Sequence, residues 1–341
     1  VGRGYEEISR IAEDAVRVLI TGFAGFVGRR FCKRFADNGD EVTCIDNMLT
    51  GVPTEDWVHK PEKTDRLKIH FADCRSLLLA MPSSYFDLVV HCAAVVGGRL
   101  KIENDALAVA TNLSIDSEFF HWVVRGKKPP KVIYFSSSAV YPTSWQTKDK
   151  HIQLPEGYVD FNGGKIELPD RTYGFSKLAG EYLAKFAAEE YGLDVHIYRP
   201  FGGYGEDQAL SYPFPSIVQR VVRGDDPVKV WGSGNQCRDF IYIDDVVDCV
   251  LQTIDEPSGT VFNIGSGVST SFVELAKRIC KVTGEHRLVR GDLDKPEGVF
   301  WRVADISRMH RYFTPRVTLD DGIERVAHHI KKTLSKEHIS G

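Results

Sequence analysis

The apolar positions of this 341-residue chain first gather in a short β-rich run, Val16-Arg17-Val18-Leu19-Ile20. A glycine turn follows, and then Phe26, Val27, Phe31 and Phe35 recur at the spacing of one helix face, which closes at Asn38-Gly39. The order predicts strand, tight turn, helix. Further short buried runs predict strands at residues 41–45, 67–71, 87–92, 131–135 and 193–198, separated by stretches that mostly have the length of helices. Strands that alternate with helices imply an α/β fold built on a doubly wound parallel sheet. Beyond about Gly205 the rhythm breaks at Pro213, Pro215 and the glycine-rich Trp231-Gly232-Ser233-Gly234. The expected plan is therefore an N-terminal extension over 1–15, a main domain over 16–205 and a smaller mixed lobe over 206–341. Residues 260–264 and 272–282 read as a strand and a helix, part of which returns to the sheet.

Composition removes several classes of function. The net charge is −4, with 43 basic against 47 acidic residues and no basic block, so no nucleic-acid surface is expected. No run approaches the ~18 apolar residues of a membrane span. Residues 1–15 carry six charged side chains and lack the apolar core of a secretory signal. The seven cysteines are scattered, mostly within apolar runs, and never form C-x-x-C, which reads as a reduced, cytoplasmic protein without a metal centre.

Thr21-Gly22-Phe23-Ala24-Gly25-Phe26-Val27-Gly28 places glycines between a predicted strand and helix, where backbone N–H groups and the helix dipole can hold a pyrophosphate. The second strand leads to Asp46, 18 residues beyond Gly28, near the usual distance for an acid that takes ribose hydroxyls. An acid there favours NAD over NADP, whose 2′-phosphate would meet its charge. These features make the sheet Rossmann-like. Asp73 follows the third strand at a position suited to an adenine contact, and the small residues Ala93 and Ala94 end the fourth, where backbone can approach a cofactor. His91 is expected to be a packed histidine and not a catalyst. Tyr173-Gly174-Phe175-Ser176-Lys177 sets a phenol and an ammonium four residues apart, on one face of a helix. A neighbouring Lys⁺ and an oxidised nicotinamide both favour phenolate, so the Tyr173 pKa is expected to fall toward working pH and supply a general base. The serines of Phe135-Ser136-Ser137-Ser138-Ala139-Val140-Tyr141 offer hydroxyls for a sugar oxygen.

In these motifs the chain resembles the extended short-chain dehydrogenases/reductases, and among them the NAD-dependent nucleotide-sugar epimerase/dehydratase group. The likeness runs from Val16 to about Leu319 and also includes Asp46-Asn47-Met48-Leu49-Thr50-Gly51, Arg238-Asp239-Phe240-Ile241-Tyr242-Ile243-Asp244-Asp245 and Asn263-Ile264-Gly265-Ser266-Gly267. It implies catalytic roles for Ser137, Tyr173 and Lys177. It implies cofactor contacts from Gly22, Gly25, Phe26, Val27, Gly28, Asp46, Asn47, Asp73, Cys74, Ala93, Ala94, Asn112, Tyr173 and Lys177. Substrate contacts are implied for Val96, Gly97, Ser138, Arg238 and Arg302, the two arginines holding a diphosphate. A helix-pair homodimer is implied as well.

Departures from the family pattern bear on the reaction. The dehydratases resembled carry Asp-Glu directly after the catalytic hydroxyl, where this chain has Ser138-Ala139. Decarboxylases carry Glu at the Ala139 position, and 3,5-epimerases and fucose-type enzymes carry Cys there. Gly202 stands where an Asn usually contacts the nucleotide sugar. Val96-Gly97-Gly98-Arg99 resembles GDP-sugar enzymes whereas Asp46-Asn47 with Thr50-Gly51 resembles UDP-sugar enzymes, so a UDP- or GDP-hexose is expected with the base left open. The 32 residues from Tyr141 to Tyr173 are more than is usual, and this segment, with Trp145, Lys148, Lys150 and His151, either caps the sugar or lies on the surface. The expected activity is NAD-dependent epimerisation at C4 through a 4-keto intermediate. A nucleotide-sugar oxidoreductase, dehydratase or 3,5-epimerase on the same scaffold, or a non-catalytic NAD sensor, are the alternatives.

Overall fold

Alternate residues of β1 (Arg17–Thr21) enter different cores, because successive side chains of a strand point to opposite faces. Val18 and Ile20 join Phe31 and Phe35 of α1 (Gly28–Asp37) on one side, whereas Leu19 joins Ile45, Val89 and Phe119 on the other. Burial on both faces is what a parallel sheet requires, and it explains why the strands read as unbroken apolar runs. The computed structural model describes residues 15–62, 64–97, 103–162 and 166–340. Thus nearly all of the expected extension over 1–15 lies outside the described residues.

The main sheet contains β1, β2 (Glu41–Asp46), β3 (Leu67–Phe71), β4 (Leu88–His91), β5 (Lys131–Phe135), β6 (Val195–Pro200) and β10 (Val261–Ile264). Its order is β3-β2-β1-β4-β5-β6-β10, and every pairing is parallel. The order reverses between β1 and β4, and a crevice opens there at the carboxyl ends of the strands. On the face opposite α1 lie α2 (Cys74–Leu78), α3 (Ala106–Val123) and α4 (Arg171–Tyr191), the last two packed against each other.

The second lobe is assembled around β9 (Cys237–Tyr242), which pairs in parallel with β7 (Gly202–Tyr204) and β13 (Trp301–Arg302) and antiparallel with β11 (Ser269–Ser271). A parallel pair, β8 (Val228–Trp231) and β12 (Val289–Asp292), lies beside it with α5 (Pro213–Arg223) and α7 (Phe272–Thr283). Between these segments the chain returns to the main sheet as β10, preceded by α6 (Ile243–Thr253), whose Val246 and Val250 share the core of α1. The final helix, α8 (Leu319–Ser340), buries Ile323, Val326 and Ile330.

The long segment after Tyr141 is exposed over residues 147–151 and docks against the second lobe on either side of that stretch. Leu154 is fully buried, its N–H donates to the Val303 carbonyl at 2.9 Å, and it bridges Ala304. His151 stacks on Trp301 with centroids 4.5 Å apart, and the Trp301 indole donates to the Ile152 carbonyl at 2.8 Å. The segment braces the strand that carries Arg302.

Candidate active site

A cleft of about 1270 Å³ runs along the carboxyl ends of β1, β2 and β4 and continues between the main sheet and the second lobe. At its floor Gly22 has φ +72°, and a Cβ there would lie 2.6 Å from the Ala93 nitrogen, so only glycine permits the turn to meet the end of β4. That approach aims the start of α1 into the cleft, which Gly22, Gly25, Phe26, Val27 and Gly28 line. Asp46 lines it too. Its oxygens accept from Ala24 N–H at 3.1 Å and Met48 N–H at 2.8 Å, which fixes the carboxylate and leaves lone pairs for ribose hydroxyls. Burial raises the Asp46 pKa, and the two amides oppose the rise. These residues fit a dinucleotide.

Asn47, Asp73, Cys74, Ala93, Ala94, Val96 and Gly97 also line the cleft, while Gly98 and Arg99 lie outside the described residues. Asp73 caps α2 and is clasped by Arg75, whose Nε and Nη2 donate to it at 3.0 and 2.6 Å and hold its pKa low. Burial pushes the Cys74 thiol up to about 12, so it is an inert wall. Asn112 and Ser138 depart from the expected placement. Asn112 is fully buried behind the cleft, accepting from Val95 N–H at 2.6 Å and donating to the Val95 carbonyl at 3.1 Å, so it shapes the loop after β4 without lining the crevice. Ser138 is buried in the turn after β5, and neither it nor the half-buried Ser137 is among the residues that line the crevice.

Tyr173 occupies the first turn of α4 and Lys177 the next turn, and both line the cleft. Gly174 packs against the Ala139 carbonyl so closely that a Cβ would overlap it, and Asp170 N–H donates to the same carbonyl at 3.0 Å. The close approach brings Tyr173 beside Ser137, whose hydroxyl favours the phenolate and lowers its pKa. The expected depression of the Tyr173 pKa is not found in the protein alone. Burial pushes the phenol up to about 12, the Asp116 charge adds to the rise, and Ser137 and the Arg302 charge only partly oppose it. Lys177 turns instead toward a buried group beneath the site: its ammonium lies 5.1 Å from the centre of the Tyr134 ring. Tyr134 donates to Asp116 at 2.6 Å, and His91 links Asp116 at 3.2 Å to Thr21 at 2.7 Å. Burial alone would raise the Asp116 pKa, but Lys177 first and then His91 outweigh it and hold it low. Residue spacing identified the Tyr–Lys pair and carried no signal for this acid.

The phenol makes a direct prediction. In cofactor-free protein Tyr173 should ionise well above the ordinary tyrosine value of about 10, and Arg302→Ala should move it higher still, because a lost positive charge destabilises phenolate. A pH titration of phenolate absorbance, with Tyr173→Phe as the subtraction, reads both. A midpoint at or below the ordinary value, or a downward move in Arg302→Ala, contradicts the electrostatics.

Arg238 and Arg302 reach the cleft from β9 and β13. Arg238 donates to the Cys237 carbonyl at 2.7 Å and lies 5.4 Å from the centre of the Phe272 ring. Gly202 lies in β7 opposite Phe240 and does not line the cleft. Two further contributors were not foreseen. Arg29, next to the last glycine, donates to the Asp207 carboxylate at 2.8 Å, with Arg30 at 2.7 Å, and so ties the glycine turn to residues 207–213, which also line the cleft. The two guanidiniums overcome burial and hold Asp207 at about 2. Tyr212 belongs to that stretch. Among the described residues there is no cluster suited to a metal ion and no helix long and apolar enough to cross a membrane.

A Rossmann-type sheet with a glycine cradle and a Tyr–Lys pair at its cleft, Ser137 standing beside the tyrosine, defines a dinucleotide-dependent enzyme of the short-chain dehydrogenase/reductase class. The chain matches the sequence model of the NAD dependent epimerase/dehydratase family over residues 18–265 and belongs to that family, whose cofactor is NAD. It is 28% identical over 327 residues to dTDP-4-dehydro-6-deoxy-D-allose reductase of Streptomyces bikiniensis, covering 91% of this chain and 94% of the relative. It is 29% identical over 333 residues to UDP-N-acetyl-alpha-D-glucosaminuronate decarboxylase of Bacillus cytotoxicus, covering 90% and 95%. Among solved structures it resembles UDP-glucuronic acid 4-epimerase of Bacillus cereus, in complex with UDP-glucuronic acid and NAD, with a TM-score of 0.75 and 26% identity over 93% of this chain and 99% of that one.

Proposed function

We propose that this protein epimerises a nucleotide-activated hexose at C4. The observation that carries the reading is Ala139, buried against Gly174 where an acid, base or thiol beside the catalytic serine would direct the chemistry elsewhere. Three carboxylates in the cleft are already committed: Asp170 pairs with Arg302, Asp207 with Arg29 and Arg30, and Glu297 accepts from Ser233.

Gly22, Gly25, Gly28 and Asp46 would hold NAD, which would supply two-electron hydride chemistry at C4. Tyr173 takes the O4 proton and later returns it to the same oxygen. Ser137, beside the phenol, hydrogen-bonds that oxygen. Lys177 would hold the nicotinamide ribose, while its ammonium, beside the Tyr134 ring, keeps Asp116 ionised beneath the site. Arg238 and Arg302 bind the diphosphate, leaving the hexose free to turn between its two faces.

A second reading, reduction of a 4-keto nucleotide sugar, is favoured by the likeness to the allose reductase. Two parallel incubations in D₂O separate the readings, one of UDP-, GDP-, CDP- and dTDP-hexoses with the NAD-loaded enzyme and one of a 4-keto nucleotide sugar with added NADH, the products being read by mass and proton spectra. Epimerisation gives a product of unchanged mass without deuterium at C3, C4 or C5 and without added cofactor. Loss of water or carbon dioxide, deuterium at C3 or C5, or consumption of reduced cofactor with gain of two hydrogens would replace 4-epimerisation with another family reaction.

A further inference from the structure

Gln146 belongs to the long segment between Tyr141 and Tyr173, away from the cleft, yet it is only 2% exposed. Its side-chain nitrogen donates to the Tyr141 carbonyl at 2.9 Å and the Pro142 carbonyl at 3.2 Å. Both amide hydrogens are therefore committed, and the orientation of the group follows from its partners. Only Oε1 remains, and Arg302 Nε donates to it at 2.6 Å. The backbone carbonyl of Gln146 accepts from Phe300 N–H at 2.9 Å and Trp301 N–H at 3.2 Å, which fixes the strand that presents Arg302. Arg302 Nη2 donates to Asp170 at 2.8 Å, just ahead of Tyr173.

We propose that Gln146 is a positioning residue that holds the Arg302 guanidinium in the cleft to receive the diphosphate of the substrate. The proposal rests on the reading of the substrate as a nucleotide sugar. It gives the long segment a part in substrate binding without covering the sugar. A neutral amide suits the task, because it directs Nε without cancelling the charge that attracts phosphate. Asp170, the other partner, carries a negative charge that competes with the ligand for Nη2. A carboxylate in place of Gln146 would add a second competitor, and an alkyl group would leave the guanidinium to Asp170 alone.

The test is calorimetric titration of UDP and of GDP into the NAD-loaded protein, for the parent, Gln146→Leu, Gln146→Glu, Arg302→Ala and the double variant Gln146→Leu/Arg302→Ala. Whichever nucleotide binds the parent should bind Gln146→Leu roughly tenfold more weakly, the scale of one hydrogen bond to a charged group. NAD retention should be unchanged. In the Arg302→Ala background the Leu substitution should add nothing, since a residue that acts through Arg302 has no effect once Arg302 is gone. Should Gln146→Leu fail to fold, Gln146→Glu, which retains an acceptor for Nε, must still weaken nucleotide binding. Parent-like affinity in a folded Gln146 variant, or additive losses in the double variant, would overturn the proposal. Unchanged affinity in Arg302→Ala also overturns it, by removing the diphosphate role of Arg302. The turnover assay in D₂O then judges the function reading separately.

Discussion

Tyr173→Phe is expected to fold and retain NAD while losing turnover by at least ~10²-fold, the scale of a removed acid–base group. The ring stays, so the packing of α4 against the turn after β5, set by Gly174 and the Ala139 carbonyl, is preserved. Only the phenol oxygen, the proposed acid–base group, disappears. Ser137 cannot substitute, since an alcohol is a far weaker acid than a phenol. Turnover should be followed alongside the bound-cofactor spectrum, so that cofactor loss is not mistaken for lost chemistry. Near-normal turnover with NAD in place would show that another group carries the proton, and Tyr212, which also lines the cleft, would be the next to replace.

The largest effect on stability is expected at Arg199, on β6 behind the site. Its guanidinium forms a two-pronged pair with Glu181 of α4 at 2.8 and 2.6 Å, with each side chain 1% exposed. It also donates to the Tyr141 hydroxyl at 3.1 Å and the Glu156 carbonyl at 2.9 Å, while Ser136 donates to Glu181. Burial alone would lower the Arg199 pKa, but the Glu181 charge outweighs it and the net shift is upward. Arg199→Met fills much of the volume but leaves Glu181 as an uncompensated buried charge, an arrangement that costs about 3–5 kcal/mol. Denaturant unfolding should show that loss, and Glu181→Gln in the same chain should restore part of it. A midpoint unchanged from the parent would mean that the pair is no better than an apolar contact.

Much of the machinery was legible along the chain because it depends on local chemistry. A strand, a turn and a helix follow from the placement of Val18, Ile20, Gly22 and Phe31, and Asp46 lies where the second strand must end. Tyr173 and Lys177 share a helix face by spacing alone. The segment from Tyr141 to Tyr173 resisted the same treatment, since its residues 142–162 include short 3-10 turns whose docking partners lie near residues 300–304.

What the sequence by itself made legible was therefore the fold class, the cofactor cradle and the Tyr173–Lys177 spacing, which depend on short-range periodicity, while Ser137 was reached through the family resemblance. Tertiary structure alone decided which charges surround them. It placed Asp116 under Lys177, turned Asn112 toward Val95, joined Arg29 to Asp207 and tied Gln146 to Arg302, 156 residues apart. It also reversed the expected direction of the Tyr173 pKa in the protein alone, because desolvation depends on everything packed around the phenol and leaves no periodic mark along a chain.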